Sequence, residues 1–387
     1  TIYTVDSTFS TAEAMVIKDG RLLATGTRAD LEKKYKAAQS LDAGGKFIYP
    51  GFIDAHCHFF GYGLNKQKVD LSGTKDWAEV LARTGAFART RRDTGWILGR
   101  GWDQNDWADK RMPDNTELNA RFPDRPVLLQ RIDGHAAVAN QAALERVGLS
   151  AQSVIAGGLL EVRDGRPTGL LVDNAVDVFQ KIFDEADEAT KRRALLDAQT
   201  DCLALGLTTV CDAGLDVGTI ELIERMQDSG ELKMRVYAMV ADRPENLTHF
   251  AERGPVLKDR LIVRAVKVYA DGALGSRGAL LKRPYADVDT PHHGLLLQDR
   301  PHMEEVARWC KAHGFQMATH CIGDSADRFM LEVYAEQLRG ANDLRWRIEH
   351  AQCIDPADLH LFAENSIIPS MQPTHLLSDG PWAMDRI

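Results

Sequence analysis

Two histidines separated by one residue stand at the end of an apolar segment near the start of the chain. His56 and His58 close the stretch PGFIDAHCH. Because side chains alternate faces along a strand, both imidazoles are expected to point into one site. Imidazole nitrogens are ligands of zinc and other divalent metals, so the pair predicts half of a metal site. Two structural histidines are the alternative explanation.

Two further histidines favour the metal interpretation. His320 ends the stretch QMATH, and His350 ends RWRIEH, so each stands at the end of a predicted strand. In (β/α)₈ barrels the catalytic groups come from the carboxyl ends of the strands. Four histidines at the ends of three predicted strands therefore indicate a metal centre.

A lysine lies inside another apolar segment. Lys267 in RAVKVYADG is costly to bury unless it is neutralised or paired. A salt-bridged or snorkelling lysine is one explanation. The other is an amine that serves as a metal ligand after carbamylation by CO₂, which converts the cation into a carboxylate able to bridge two metal ions.

The elements that must position these residues follow a strand–helix alternation. Such an alternation favours βαβ units and a parallel sheet. Seven strands favour a (β/α)₈ barrel over a doubly wound sheet, and neither a G-x-G-x-x-G after a strand nor a P-loop is present. The predicted strands are 52–58, 207–212, 234–240, 263–270, 315–320, 346–350 and 366–371, and the predicted helices between them include 189–205, 219–229, 301–313, 325–338 and 356–363.

Two segments lie outside this alternation. Residues 1–49 read as short strands with a hairpin at Asp19-Gly20, and they predict a partial β-sandwich domain that needs further strands. Residues 50–387 form the predicted barrel domain. A large insertion follows its first strand, with an inserted subdomain at about 95–180 that contains a second hairpin at Asp164-Gly165.

Composition excludes several classes of protein. The 387 residues are 44% hydrophobic and carry a net charge of −9, with no long basic stretch and no apolar run that could span a membrane. We therefore expect a small-molecule substrate as the partner, with no nucleic acid and no membrane. Six cysteines without a CxxC pair indicate reduced thiols in a cytoplasmic protein, while a processed secreted form stays open. A monomer and a homodimer are both compatible with the sequence.

These motifs resemble the amidohydrolase superfamily of metal-dependent hydrolases. Within it the chain is similar to amidohydrolase family 3, the YtcJ-like branch that includes N-substituted formamide deformylase. The similar segments span residues 13–383 and include PGFIDAHCH, GWDQNDW, DGHAAVANQAAL, VKVYADGALGSRGALL, ATHCIGDSA and IEHAQ.

The resemblance implies a distorted (β/α)₈ TIM barrel beside a small β-sandwich made from both chain ends. It implies that His56 and His58 bind a metal with Lys267, carbamylated or not, and that His320 and His350 bind a second metal or serve the same one. Lys267 and His320 are the implied catalytic residues. Zinc is the expected metal, as one or two ions, with iron, manganese and cobalt left open.

Five residues are expected to contact the substrate. His135 faces the pocket by resemblance, and Trp102 lines an apolar pocket unless it serves packing. Asp271 and Arg277 belong to a polar glycine-rich loop after the fourth strand, where the arginine binds a carboxylate or orders a lid. His375 follows the seventh strand and is expected at the edge of the pocket.

One departure from the family concerns the end of the barrel. In the family an Asp after the eighth strand moves the proton from water to the leaving group. Here only seven strands are predicted and no such Asp follows them, so we expect a C-terminally truncated fragment with an open barrel edge.

The predicted function is hydrolysis of a non-peptide C–N bond, of amide or N-formyl type, by a metal-activated water. The alternatives are another amidohydrolase chemistry (a deaminase, a cyclic amidase or a carbamate hydrolase) or a catalytically inactive metal-binding fragment that lacks the general-base Asp.

Overall fold

A computed structural model describes residues 1–90, 95–132, 136–155, 158–179, 186–274, 278–287, 289 and 291–387. Its strands are β1 (Ile2–Tyr3), β2 (Thr11–Ala12), β3 (Ala14–Lys18), β4 (Arg21–Gly26), β5 (Phe52–Cys57), β6 (Val69–Asp70), β7 (Ile97–Trp102), β8 (Val127–Arg131), β9 (Ala136–Ala139), β10 (Gly158–Arg163), β11 (Arg166–Asp173), β12 (Leu207–Leu215), β13 (Arg235–Ala241), β14 (Val256–Leu257), β15 (Leu261–Tyr269), β16 (Gln316–Cys321), β17 (Arg347–His350) and β18 (Ile368–Ser370).

The described helices alternate with these strands over much of the chain. They are α1 (Arg28–Lys34), α2 (Phe59–Asn65), α3 (Trp77–Thr90), α4 (Thr116–Arg121), α5 (Gln141–Arg146), α6 (Asn174–Asp177), α7 (Glu188–Ala204), α8 (Val217–Asp228), α9 (Pro244–Arg253), α10 (Arg300–His313), α11 (Asp324–Leu338), α12 (Leu359–Glu364), α13 (Thr374–Ser378) and α14 (Gly380–Ala383), with short 3₁₀ helices at Gln104–Asp106 and Pro356–Asp358. Within the described ranges, none of the helices is long and apolar enough to cross a membrane.

The chain divides into two compact units. The first comprises Thr1–His58, Thr200–Gln227 and Lys233–Ile387, and the second comprises Phe59–Gln199 with Asp228–Leu232. The predicted division into a sandwich domain and a barrel domain stays a prediction.

The first unit contains a nearly closed barrel of seven parallel strands. They follow in the order β5, β12, β13, β15, β16, β17 and β18, and the short β14 pairs antiparallel with β15. All seven predicted strands are confirmed, with ends that shift by a few residues, and the predicted helices between them are present. The parallel strands bring all their carboxyl ends to one rim of the barrel.

Helix α10 shows how the sequence builds one of these connections. The Asp299 side chain caps its first turn by accepting the N–H of His302, and Gly314 ends it in the left-handed conformation. The buried residues Met303, Val306, Ala307 and Cys310 recur at helical spacing and form its core-facing stripe.

The N-terminal segment forms small sheets. Strands β3 and β4 pair as the predicted hairpin, and Asp19 and Gly20 have the positive φ angles (51° and 72°) that its two-residue turn requires. Strands β1 and β2 form a second two-stranded sheet, and Ile2 bridges to Ile48. Membership of these pairs in a β-sandwich stays a prediction.

The second unit has a sheet of its own, of six strands in the order β10-β11-β9-β8-β7-β6. Its β10–β11 pair is the predicted hairpin, with positive φ at Asp164 and Gly165. Buried aliphatic side chains and the indoles of Trp102 and Trp107 form its core. The unit starts earlier and ends later than the predicted inserted segment 95–180.

Candidate metal centre

Strand register brings the predicted site residues of the first unit to one end of the barrel. Tyr269 of β15 lies opposite His320 of β16, and Cys321 of β16 lies opposite His350 of β17. Lys267 of β15 lies one pleat below this level, and His56 occupies the end of β5. Hydrogen-bonded register thus places side chains far apart in sequence at neighbouring positions.

The four predicted histidine ligands form a continuous row of ring contacts. Ring centroids are 5.8 Å apart for His56 and His58, 4.7 Å for His56 and His350, and 4.5 Å for His320 and His350. His375, predicted at the edge of the pocket, stacks on His350 at 5.6 Å. The structure therefore brings His56, His58, His320 and His350 together, and their role as metal ligands stays a prediction.

A buried carboxylate orients the first histidine of the row. His56 Nδ1 lies 2.6 Å from Glu349 Oε2, and the Glu349 side chain is fully buried. Burial would raise the pKa of Glu349, but the hydrogen bond from His56 and the Arg347 charge outweigh it and lower that pKa. An ionised carboxylate accepts a proton on Nδ1, an arrangement that directs His56 Nε2 away from Glu349 and leaves it as the nitrogen available to a metal. That nitrogen is buried and has no hydrogen-bond partner among the described residues.

The central histidine is oriented in a similar way. His350 Nδ1 lies 2.8 Å from the amide oxygen of Gln372, which directs the Nδ1 proton toward that oxygen. His350 and Ala351 both have positive φ, at 75° and 44°. Left-handed backbone at non-glycine residues is energetically unfavourable and concentrates at functional sites. The chain thus accepts backbone strain where β17 presents its imidazole.

Lys267 is buried without compensation. Its residue is 1% exposed, and its Nζ has no hydrogen-bond partner in the described part of the chain. The ammonium lies 4.8 Å from the centre of the Tyr269 ring, a weak cation–π contact. Burial lowers the pKa of Lys267 to about 8, although the Glu349 charge opposes the shift. A substantial fraction of the amine is therefore neutral slightly above physiological pH.

Three of these histidines, His58, His320 and His350, are held in their neutral form. Burial and the neighbouring Lys267 lower the pKa of His320 to about 4, and burial with the adjacent His320 lowers the pKa of His350 to about 2. Burial, followed by Lys267, also lowers the pKa of His58. Neutral imidazole is the form that binds a metal, so no proton has to be displaced near neutral pH.

The donor set fits a divalent cation. Desolvated neutral imidazoles, a Glu349-oriented His56 with a free Nε2, and an unpartnered Lys267 amine are groups that a cation would satisfy. No group of three or more His, Cys, Asp or Glu side chains in the described ranges is already arranged to hold a metal ion. The metal centre therefore rests on donor chemistry and burial.

Asp271, predicted to contact the substrate, is buried and bonded to the backbone, and the substrate contact stays a prediction. It is 1% exposed, and its carboxylate accepts the backbone N–H groups of Leu280, Ile322 and Gly323 at 2.8–3.0 Å. Burial raises the pKa of Asp271 to about 6, partly opposed by these bonds. It lies 3.6 Å from His320 Nε2 and supports the loop next to that ring.

The other predicted substrate residues are placed differently. Trp102 is fully buried in the core of the second unit, where its indole N–H donates to the Leu129 carbonyl at 2.8 Å. Because no surface of Trp102 is exposed, its environment favours the packing alternative over the pocket-lining one. His135 and Arg277 lie outside the described residues, so their roles stay predictions.

The sequence reasoning missed Glu349, Arg347 and Gln372. Arg347 Nε donates to Glu349 Oε1 at 2.5 Å, which completes a buried Arg–Glu–His arrangement. Lys267 was singled out as a charged residue among apolar neighbours, and Glu349 carries a weaker form of this signal because Arg347 and His350 stand in the same short strand. Gln372 carries no comparable signal in the sequence.

Comparisons with known proteins show the family of the chain. A family model described as "Amidohydrolase family" matches residues 39–387. The chain is 32% identical to the putative amidohydrolase YtcJ of Bacillus subtilis over 100% of this chain and 74% of that protein, and 31% identical to the protein LONG AFTER FAR-RED 3 of Arabidopsis thaliana over 98% and 68%. It is 28% identical to the N-substituted formamide deformylase of Arthrobacter pascens over 90% and 67%.

A solved structure has the same fold. An uncharacterized metal-dependent hydrolase from Pyrococcus furiosus superposes with a TM-score of 0.78 at 29% identity, covering 100% of this chain and 78% of that one. With the family model matching most of the residues, the chain belongs to the amidohydrolase family.

Proposed function

We propose that the protein is a metal-dependent amidohydrolase that cleaves a non-peptide C–N bond of amide or N-formyl type. In this proposal His56, His58, His320, His350 and Lys267 hold one or two divalent metal ions, with zinc as the expected metal. The observation that carries it is the pair of buried, unpartnered nitrogens, His56 Nε2 and Lys267 Nζ, at the carboxyl end of one barrel.

A bound divalent metal would supply Lewis-acid polarisation of the substrate carbonyl and a lower pKa for an attacking water. The chain's own residues prepare that chemistry. Glu349 holds His56 in one tautomer, and Gln372 orients His350, so the ligand nitrogens need no reorganisation. Burial keeps His58, His320 and His350 neutral, and Asp271 supports the loop beside His320.

Lys267 and His320 are the proposed catalytic residues. The lowered pKa of Lys267 leaves neutral amine available, and only neutral amine adds to CO₂. In that addition an N–C bond forms and one N–H proton is released, so a buried cation becomes an anion. Carbamylation would therefore replace an uncompensated charge by a ligand that a divalent cation satisfies.

The proposed substrate class rests on the chemistry of the ligand set and on similarity to a known enzyme. A water activated by a metal attacks many electrophilic carbons, so the ligand set also suits a deaminase, a cyclic amidase or a carbamate hydrolase. Similarity to an N-substituted formamide deformylase supports the N-formyl and amide class as the first to test.

The test compares two histidine variants loaded with zinc. His56→Ala removes the oriented ligand, whereas His360→Ala removes an exposed histidine of α12 in the same unit. We expect His56→Ala to bind less zinc per chain and to hydrolyse N-formyl amines and simple amides at least a hundredfold more slowly than the parent. His360→Ala should match the parent in both. Zinc content by mass spectrometry separates the metal site from the substrate class. A His56→Ala variant with full zinc and parental turnover overturns the proposal.

A further inference from the structure

A cavity adjoins the candidate metal centre at the carboxyl ends of β12, β13 and β15. It has a volume of about 240 Å³, enough for a small organic molecule, and Lys267 and Tyr269 form one of its walls. Gly214, which presents no side chain, leaves room beside both. Asp242 and Arg243, which directly follow β13, form another part of its wall.

The position of Arg243 is fixed by strand pairing. Ala241, the last residue of β13, lies opposite Lys267 of β15, and the Asp242 N–H donates to the Lys267 carbonyl at 3.2 Å. Arg243 is the next residue, on the rim of the same cavity. A ligand in this cavity can therefore contact Arg243 with one group while another group lies beside Lys267.

The two charged residues of this wall differ in their partners. Asp242 Oδ2 lies 2.6 Å from His302 Nε2, so its carboxylate is engaged. The Arg243 guanidinium has no hydrogen bond or ion pair to any described residue, although it borders a cavity. Other arginines on the surface of this unit reach carboxylates: Arg253 to Glu224 at 2.7 Å and Arg328 to Asp358 at 2.8 Å.

We propose that Arg243 binds a carboxylate of the substrate, so that the site takes amide or N-formyl compounds with an anionic group a few bonds from the scissile carbonyl. A guanidinium suits this role because its planar N–H groups match the two oxygens of a carboxylate. N-formyl amino acids have this arrangement. The inference rests on the proposed function and specifies the substrate class of the same site.

The experiment measures binding by calorimetry to the zinc-loaded protein. The ligands are N-formylalanine and N-formylalanine amide, which have nearly the same shape but differ in charge. The variants are Arg243→Gln, Arg243→Lys and, as a control of equal charge change, Arg235→Gln at the opposite end of β13. Formate release is measured in parallel, since it reports cleavage of the formyl bond alone.

We expect the parent and Arg235→Gln to bind N-formylalanine at least tenfold more tightly than the amide. Arg243→Gln should lose about 10- to 100-fold in affinity for the anion and little for the amide, and Arg243→Lys should keep part of the preference. Equal binding of both ligands by the parent, no binding of the anion, or an unchanged preference in Arg243→Gln overturns the inference. If the Arg243 inference fails in one of these ways but the protein still binds zinc and hydrolyses neutral amides, the proposed function stands. If the preference for the anion depends on Arg243 but no ligand is hydrolysed, the proposed function is overturned and the Arg243 inference stands.

Discussion

Two lysines of the first unit show two ways of handling a positive charge. Lys282 donates to Asp358 at 2.6 Å and to Asp355 at 2.7 Å, and these hydrogen bonds with the carboxylate charges raise its pKa against the cost of burial. Lys267 is more deeply buried and has no such partner, so its pKa falls to about 8. The first charge is compensated by the protein itself.

This difference distinguishes a structural ion-pair network from a site whose buried groups lack partners within the described chain. Around Lys282, Arg328 also bonds Asp358, so each charge meets its opposite. At the carboxyl ends of β5 and β15 the uncompensated groups are His56 Nε2 and Lys267, and Gln372 Nε2 beside His350 is also without a partner among the described residues. Natural proteins rarely leave buried polar groups unsatisfied. Groups left so in one place are best explained by a partner supplied from outside the chain.

The largest expected effect of changing one of these lysines is on enzymatic activity. Lys267→Arg keeps the charge but cannot form a carbamate, so we expect a loss of at least a hundredfold in kcat/KM for the amide or N-formyl substrate. Lys282→Arg, the matched change in the compensated network, should retain parental kinetics. Both are measured on zinc-loaded protein. Parental turnover in Lys267→Arg would contradict the metal-bridging role.

Glu349 offers the next largest effect. Glu349→Gln keeps the shape but removes the charge that orients His56 and balances Arg347. Loss of such an outer partner typically weakens metal binding about 10- to 100-fold. Competition with a zinc chelator measures the affinity, and Glu364→Gln on α12 is the exposed control. An unchanged zinc affinity would show that the Glu349–His56 bond serves folding alone.

The barrel was predictable because its strands are apolar runs separated by amphipathic helices, a local signal. Lys267, His320 and His350 were identifiable because polar residues interrupt or end those runs. The burial of Asp271 was not predictable because its partners are remote: the donors to its carboxylate lie 9, 51 and 52 residues away. Burial by such partners cannot be read from neighbouring sequence. Glu349 could have been found, and Gln372 could not.

Replacing each of the two lysines by methionine should change the free energy of unfolding in opposite directions. Lys282→Met removes a partner of the nearly buried Asp358, and because the lysine is one-third exposed we expect a loss of about 2 kcal/mol in the free energy of unfolding. Lys267→Met removes an unpartnered buried amine, so the metal-free protein should gain about 1 kcal/mol. Urea denaturation of chelator-treated protein measures both. A loss of stability in metal-free Lys267→Met would mean that its amine is compensated in the chain.

The smallest expected effect is the pH dependence of the Lys282 contribution. Burial would raise the pKa of Asp358, but its bonds to Lys282 and Arg328 outweigh burial and lower it. A carboxyl group with a lowered folded-state pKa contributes stability above its unfolded pKa of about 3.9, and this contribution is lost as pH falls through the folded value. The difference in unfolding free energy between the parent and Lys282→Met should therefore be constant from pH 7 to pH 5 and shrink below about pH 4. A difference that stays the same at pH 3 would show that Lys282 stabilises the fold through its aliphatic stem, and the contrast with Lys267 would then not be one of charge compensation.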